Sequence, residues 1–241
     1  MSAAPRKPLC LIPARGGSKR IPRKNIALLG DKPLLTWTIT PALESGLFDN
    51  VYVSSEDEEI LSIARKYGAV AIPRFPRLAE DNTTLLDLCM EILPDLANRA
   101  KATDLYLLTP TSPFRTAQTM CRAWEEYLSC RGSSLISVEP LDYPPQWALT
   151  LHNNRLKPLF PDLYDTPRLK LEPSLKHDGG HIITCIRRLL SESDFFGEHA
   201  HPFFAPENEH LDIDHPHDLE RANSILEQAK AQDAPHGKII L

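Results

Sequence analysis

Short apolar runs alternate with helix-spaced segments along most of the chain. Leu9–Ala14, Val51–Ser54, Val70–Ile72 and Leu105–Thr109 are nearly continuous in apolar residues. Such runs predict strands buried on both faces, the habit of a parallel sheet covered by helices. Leu135–Val138, His181–Cys185 and Leu211–Asp214 continue the series. Between them lie segments with helical spacing: Pro33–Ser45, Glu56–Tyr67, Thr83–Asn98, Ala117–Leu128 and His217–Lys230. The first opens on proline and stops before Gly46. The second opens on four acids and stops before Gly68. Proline at the start, acid at the positive pole of the helix dipole and glycine past the end are the expected punctuation. The alternation predicts an α/β fold, with residues 1–241 forming one domain around a mainly parallel sheet.

Residues 139–176 break the pattern. They hold Pro140, Pro144, Pro145, Pro158, Pro161, Pro167 and Pro173, out of 22 prolines in the chain. They also hold Tyr143, Trp147, Leu149, Leu151, Leu156, Leu159, Phe160 and Leu163. A plain linker would not expose so many large apolar groups, so the stretch reads as an inserted arm or hairpin covered by a partner surface, such as a second subunit. The chain ends in Lys238-Ile239-Ile240-Leu241, to which no role is assigned.

Charge alters this picture at one place. The formal net charge is −5, yet the first 30 residues carry Arg6, Lys7, Arg15, Lys19, Arg20, Arg23 and Lys24 and no acid. A confined cationic site on an acidic chain argues against a nucleic-acid-binding surface. No apolar run approaches the ~18–20 residues of a membrane span, and the apolar stretch within Met1–Ala14 is too short for a signal-peptide core. The five cysteines are scattered without a Cys-x-x-Cys pair, which points to a reducing cytoplasm and away from structural zinc or a disulfide framework.

The cations concentrate in Arg15-Gly16-Gly17-Ser18-Lys19-Arg20-Ile21-Pro22-Arg23-Lys24-Asn25, directly after the first strand. Gly16 and Gly17 allow backbone N–H groups to turn towards an anion, and Arg15, Lys19 and Lys24 suit a polyphosphate. Open α/β sheets bind ligands at this position, beyond the carboxyl end of a strand. The loop is neither a Walker A motif nor a Rossmann fingerprint; the plainer reading is a solvated basic loop. Later, Asp212 and Asp214 stand two apart, which in a strand puts both carboxylates on one face. Adjacent carboxylates repel unless a cation sits between them, and Mg²⁺ takes one or two carboxylates plus phosphate oxygens. Asp214 could instead merely cap the helix that follows. Thr109-Pro110-Thr111-Ser112-Pro113 is a hydroxyl-rich turn at the end of the most apolar strand, either a site wall or a helix cap. No G-x-S-x-G element and no paired-histidine zinc helix is present. Trp37, Trp124 and Trp147 read as core or interface aromatics.

The string from Ala14 to Asn25 closely resembles the amino-terminal signature of the acylneuraminate cytidylyltransferases, the synthetases of CMP-sialic, CMP-legionaminic and CMP-pseudaminic acids. Further segments resemble the same family in order: Val51–Ile60, Leu78–Thr84, Leu107–Arg115 and Leu211–Asp214, so that the matches run from about residue 9 to 228. The resemblance implies a three-layer nucleotidyltransferase (Rossmann-like) fold with a protruding dimerisation arm. It also implies transfer from CTP to a nine-carbon 2-keto sugar acid, with Mg²⁺ on Asp212 and Asp214. Arg15, Lys24 and Asp214 would be catalytic. Nucleotide would be held by Ala14, Arg15, Gly16, Gly17, Ser18, Lys19, Lys24, Asn25, Arg74, Asp81, Thr83 and Thr84. The sugar would be held by Thr109, Pro110, Thr111, Ser112, Lys176 and Asp178. A homodimer and no nucleic-acid or membrane partner are expected. Two places depart from the family pattern: Thr109 stands where glutamine is common, and His177-Asp178-x-Gly180 resembles the pseudaminic branch more than the sialic branch. His177, Asp178 and His181 also leave a zinc site open. Transfer to a Kdo-type eight-carbon acid, or nucleotide binding without turnover, are the alternatives.

Overall fold

A computed structural model describes residues 7–130 and 134–233. Arg6 and the apolar tail 238–241 lie outside them. The strands are β1 (Leu9–Pro13), β2 (Leu28–Leu29), β3 (Lys32–Pro33), β4 (Val51–Ser55), β5 (Val70–Pro73), β6 (Asp104–Leu107), β7 (Leu135–Pro140), β8 (Leu149–His152), β9 (Arg155–Pro158), β10 (Leu175–Cys185) and β11 (His201–Phe203). The helices are α1 (Thr36–Glu44), α2 (Glu58–Lys66), α3 (Leu85–Ala100), α4 (Ala117–Ser129), α5 (Ile186–Glu192) and α6 (Pro216–Asp233).

One seven-stranded sheet runs β11-β7-β10-β6-β1-β4-β5. Every pairing is parallel except those of β10, which is antiparallel to both β6 and β7. Alternation along β1 builds the two cores. Cys10 and Ile12 face a layer with Ile39, Ile60, Met120 and Trp124, from α1, α2 and α4. Leu9 and Leu11 face Cys89, Leu93, Ile186 and Leu189, from α3 and α5. The expected three-layer α/β architecture is therefore observed. A third cluster joins Leu29, Leu34, Ile213 and Ala222, packing α6 beside the β2–β3 hairpin.

Several sequence expectations change. Pro33 does not open a helix: it pairs with Leu28 in a hairpin whose turn contains Gly30 at φ 63°. Helix α1 starts at Thr36, whose hydroxyl donates to the Pro33 carbonyl at 2.7 Å. Helix α2 starts at Glu58, two residues after the expected Glu56, and is capped by Asp57. Strand β6 ends at Leu107, so Thr109 lies in the following turn. Strand β10 begins six residues earlier than His181, and α5 and β11 had no clear periodic signal. Leu211–Asp214 is not a strand. Beyond Leu107 the chain turns away, leaving Leu211–Asp214 one backbone bond to it, from Ile213 N–H to Thr111 O at 2.8 Å. The alternation survives even so: Ile213 is buried in the third cluster, and Asp212 and Asp214 avoid it.

The chain leaves the sheet after Pro140 and returns at Leu175, which are paired. Between them lies the β8–β9 hairpin, closed by Asn153 and Asn154, both with positive φ, as a type I′ turn requires. Leu151, Leu156 and Leu169 are exposed, the last completely. Trp147 anchors the segment by donating from its indole nitrogen to the Thr166 carbonyl at 3.1 Å. Trp124 stacks on Tyr127 in the core.

Ile12 has no exposed surface and lies on β1, an interior strand of the sheet. Ile12→Ala is expected to cost about 2–5 kcal/mol, the range for a buried aliphatic truncated to alanine. A urea midpoint unchanged from the parent would contradict this account of the core.

Candidate active site

The parallel register of β1 and β4 pairs Pro13 with Ser54, and Ala14 N–H donates to Ser54 O at 2.9 Å. The loop after β1 thus emerges beside Glu56 and Asp57. Glu56 clamps it: Oε1 accepts from Gly16 N–H at 2.7 Å, and Oε2 accepts from Nε and Nη2 of buried Arg74 at 3.1 and 3.0 Å. Asn25, also buried, donates its amide to the Arg15 carbonyl at 2.8 Å. Gly16 N–H is therefore committed to an internal carboxylate. A Cβ on Gly16 would lie 2.6 Å from Asp57 Oδ2, whereas one on Gly17 would meet nothing within 4 Å.

A cleft of about 560 Å³ opens at this carboxyl edge of the sheet. It is lined by Arg15, Ser18, Lys19, Lys24, Asn25 and Arg74 on one side. Asp81, Thr83 and Thr84 line another, and Thr109, Pro110, Thr111 and Asp214 close it. Most of the residues singled out in the sequence thus converge. Ala14 is buried behind the cleft and Ser112 is buried beneath the turn. Lys176 and Asp178 are not among the lining residues. Lys176 pairs with Glu139 at 2.8 Å across the β7–β10 ribbon. Asp178 is buried, accepts from Ser137 Oγ and from Gly180 N–H at 2.8 Å, and lies 3.1 Å from His210 Nδ1.

Charges on the cleft walls are matched. Asp81 meets Arg15 at 3.3 Å and Lys19 at 2.5 Å. Asp214 meets Lys24 at 2.9 Å and Arg20 at 3.2 Å, and Lys24 also donates to the Ile213 carbonyl at 2.8 Å. Lys24 holds the Asp214 carboxyl below the usual range, against some burial. Asp212 behaves oppositely: burial raises its pKa, opposed by the Thr111 hydroxyl and reinforced by Asp214.

Asp212 Oδ1 is buried with no hydrogen-bond partner. An orphaned carboxylate oxygen two residues from a second carboxylate fits a divalent cation that completes its shell with substrate phosphates and water. Among the described residues no group of three or more His, Cys, Asp or Glu is placed to hold a metal. His181 turns into the core, 2.7 Å from the Tyr106 hydroxyl, and burial pulls its pKa well down. The zinc alternative for His177, Asp178 and His181 is thereby lost.

Two further side chains shape the cleft. Arg20, read only as one of the loop's cations, pairs with Asp214 and lines the cleft. Glu56 had been read as a helix-opening acid; its position directly after β4, opposite the loop after β1, was the available signal.

A mainly parallel sheet with a cation-rich cleft at its carboxyl edge is the arrangement of an α/β domain that binds an anionic ligand such as a nucleotide. The chain belongs to the cytidylyltransferase family, which it matches over residues 9–234. It is 36% identical over 222 residues to the pseudaminic acid cytidylyltransferase of Campylobacter jejuni subsp. jejuni serotype O:2, covering 91% of this chain and 96% of that protein. It is 33% identical over 226 residues to the CMP-N,N'-diacetyllegionaminic acid synthase of Legionella pneumophila subsp. pneumophila, with the same coverage. Among solved structures it resembles CMP:2-keto-3-deoxy-manno-octonic acid synthetase complexed with CTP, at TM-score 0.67 and 16% identity over 92% of this chain and 99% of that one. It also resembles a 4-diphosphocytidyl-2C-methyl-D-erythritol synthase, at TM-score 0.70 and 13% identity over 93% and 100%. These two likenesses concern the fold.

Gly16→Ala must push Asp57 from its cap on Glu59 and Ile60 N–H. The expected loss is about 1 kcal/mol, the scale of a lost N-cap, with Gly17→Ala close to neutral. Thermal unfolding compares the two, and equal midpoints would refute the close-approach argument.

Proposed function

We propose that this chain transfers a cytidylyl group from CTP to a nine-carbon 2-keto sugar acid, releasing pyrophosphate. The observation that carries the reading is a cleft with Arg15, Lys19 and Lys24 on one wall and Asp214 at another, with Asp212, its Oδ1 buried, behind it. The family match and the names of the similar relatives support the same chemistry.

The acceptor's anomeric hydroxyl oxygen attacks the α-phosphorus in line. A new P–O bond forms, the bond to the bridging oxygen of the β-phosphate breaks, and pyrophosphate departs with that electron pair while the hydroxyl proton is released to solvent. Arg15, Lys19 and Lys24 neutralise the charge that grows on the leaving phosphates. Asn25, Arg74 and the Asp81–Thr84 stretch line the cytidine end, with Ala14, Gly16, Gly17 and Ser18 shaping the loop around the phosphates. Asp212 and Asp214 would hold Mg²⁺, which would supply Lewis-acid polarisation of the phosphate and of the attacking hydroxyl. Thr109, Pro110 and Thr111 form the acceptor wall, with buried Ser112 supporting it from beneath. Lys176 and Asp178 belong to the neighbouring ribbon and reach the acceptor only if it extends past the cleft. The His177-Asp178-x-Gly180 sequence and the Campylobacter relative favour pseudaminic acid stereochemistry.

The arm at 139–176 supplies the contact of a homodimer, since Tyr143, Leu151, Leu156 and Leu169 on it are each exposed and Leu151 stands opposite Leu156 in the hairpin; the rest of 1–241 forms the catalytic domain. A reducing cytoplasm suits the five free cysteines. Among the described residues no helix is long and apolar enough to cross a membrane.

Pyrophosphate release from CTP and Mg²⁺ is expected with a nonulosonic acid when N-acetylneuraminic, legionaminic, pseudaminic and Kdo acids are compared. Release with Kdo alone would move the acceptor to the eight-carbon class, and CTP binding without release would leave a nucleotide-binding protein. Asp214→Asn and Lys24→Ala are each expected to lose on the order of 10²–10³-fold in turnover with unchanged circular dichroism. Parent-like rates in either soluble variant would remove that residue's role.

A further inference from the structure

One buried charge has no part in the reaction above. Arg115 follows the Thr109–Pro113 turn, and its residue exposure is 3%. Burial pulls its pKa down to about 10. A guanidinium is retained in such surroundings where several acceptors meet its planar donors.

Those acceptors come from three elements. Arg115 donates to the carbonyls of Gly180 and Thr109, and to the Thr38 hydroxyl of α1 at 2.9 Å. Thr109 in turn donates from its hydroxyl to Gly179 O at 2.6 Å. Gly179 and Gly180 lie where β10 loses register with β7, between His177 and Ile182. A Cβ on Gly179, at φ +75°, would lie 3.3 Å from Ser112 Oγ and 3.7 Å from Asp212 Cγ. The bulge is therefore seated on the hydroxyl turn and on the carboxylate with the orphaned oxygen.

We infer that Arg115 is a positioning residue for the acceptor side of the cleft, fixing the Thr109–Ser112 turn against the Gly179–Gly180 bulge. The inference rests on the cytidylyltransfer reading. It is asymmetric, because the loop at 14–25 is held by Glu56 and Asn25 through bonds in which Arg115 has no share. Lysine keeps the charge, but its single nitrogen cannot span two carbonyls and a hydroxyl in the geometry of the planar fork.

The test compares the parent with Arg115→Lys and with the milder Thr38→Val, which removes one acceptor of the fork. CTP affinity is measured by calorimetry without acceptor, and acceptor kinetics at saturating CTP. Acceptor kcat/KM is expected to fall on the order of 10²-fold in Arg115→Lys, the effect of displacing a reacting group by about 1 Å, and by less in Thr38→Val. CTP affinity is expected to stay at the parent value in both. Hydrogen exchange is expected to quicken at 109–112 and 177–181 and to stay unchanged at 14–25. Proportional losses of CTP affinity and acceptor kcat/KM, parent-like acceptor kinetics, or exchange that rises uniformly would each overturn the inference. If Arg115→Lys fails to fold, Thr38→Val decides by the same readouts. If the parent turns over no sugar acid, the functional reading fails, and the exchange pattern still decides whether Arg115 sets this wall.

Discussion

Five cations within ten residues repel one another, and the loop from Arg15 to Lys24 is ordered because each of them meets a carboxylate from elsewhere in the chain. Arg15 and Lys19 share Asp81, Arg20 and Lys24 share Asp214, and Arg23 lies between Asp57 and Glu59. These acids come from the segment before α3, the segment before α6, and the first turn of α2. Two of these regions, those before α3 and before α6, line the cleft, and the charge of the loop draws them together across it. Exposed pairs are individually worth ~0–1 kcal/mol, so the convergence depends on their number and on the better-shielded Lys24.

The sheet decides which acids are within reach. Parallel pairing of β1 with β4 on one side and β6 on the other brings three strand ends to one edge. Glu56 then stands opposite Gly16, and the Thr109 turn stands opposite the Asp212–Asp214 segment. In a parallel arrangement each strand must be followed by a crossover, so every one of these loops is free to carry polar groups while the strands below remain apolar. Chemistry and core are separated by a single residue: Leu108 is fully buried, and Thr109 borders the cleft.

Strands buried on both faces were legible because their apolar runs are continuous, and the amphipathic helices because their caps are conventional. The strand expected at Leu211–Asp214 shows the limit. Alternation specifies which side chains face the core and does not specify a hydrogen-bonded neighbour. Pro33 shows another, since the Gly30-Asp31 turn imposed a hairpin where proline alone announced a helix. The cationic loop, the hydroxyl turn and Asp214 stand out in the sequence because charge and hydroxyl density are visible one residue at a time, whereas Asp81 stands out only through the family resemblance. Glu56 and Arg115 do not stand out, because each acts through backbone groups of distant segments and no spacing encodes such partners. Lys176 and Asp178 were drawn to the site by their place in a motif, whereas the register of β7 and β10 gives Lys176 to Glu139.

The two acid partners of the loop differ in a way that bears on ligand entry. Asp81 and Lys19 are both largely exposed, and Arg15 is nearly half so; water already screens these pairs, so an incoming polyanion replaces Asp81 at small cost. Lys24 is only 15% exposed and is held by a backbone carbonyl as well as by Asp214. Its ammonium is thereby held more firmly than the exposed cations of the loop. The loop therefore combines a fixed charge at the Asp214 end with exchangeable charges at the Asp81 end. On the proposed cytidylyltransfer reading, a polyphosphate would displace the latter and be oriented by the former, with its reacting end beside Asp214.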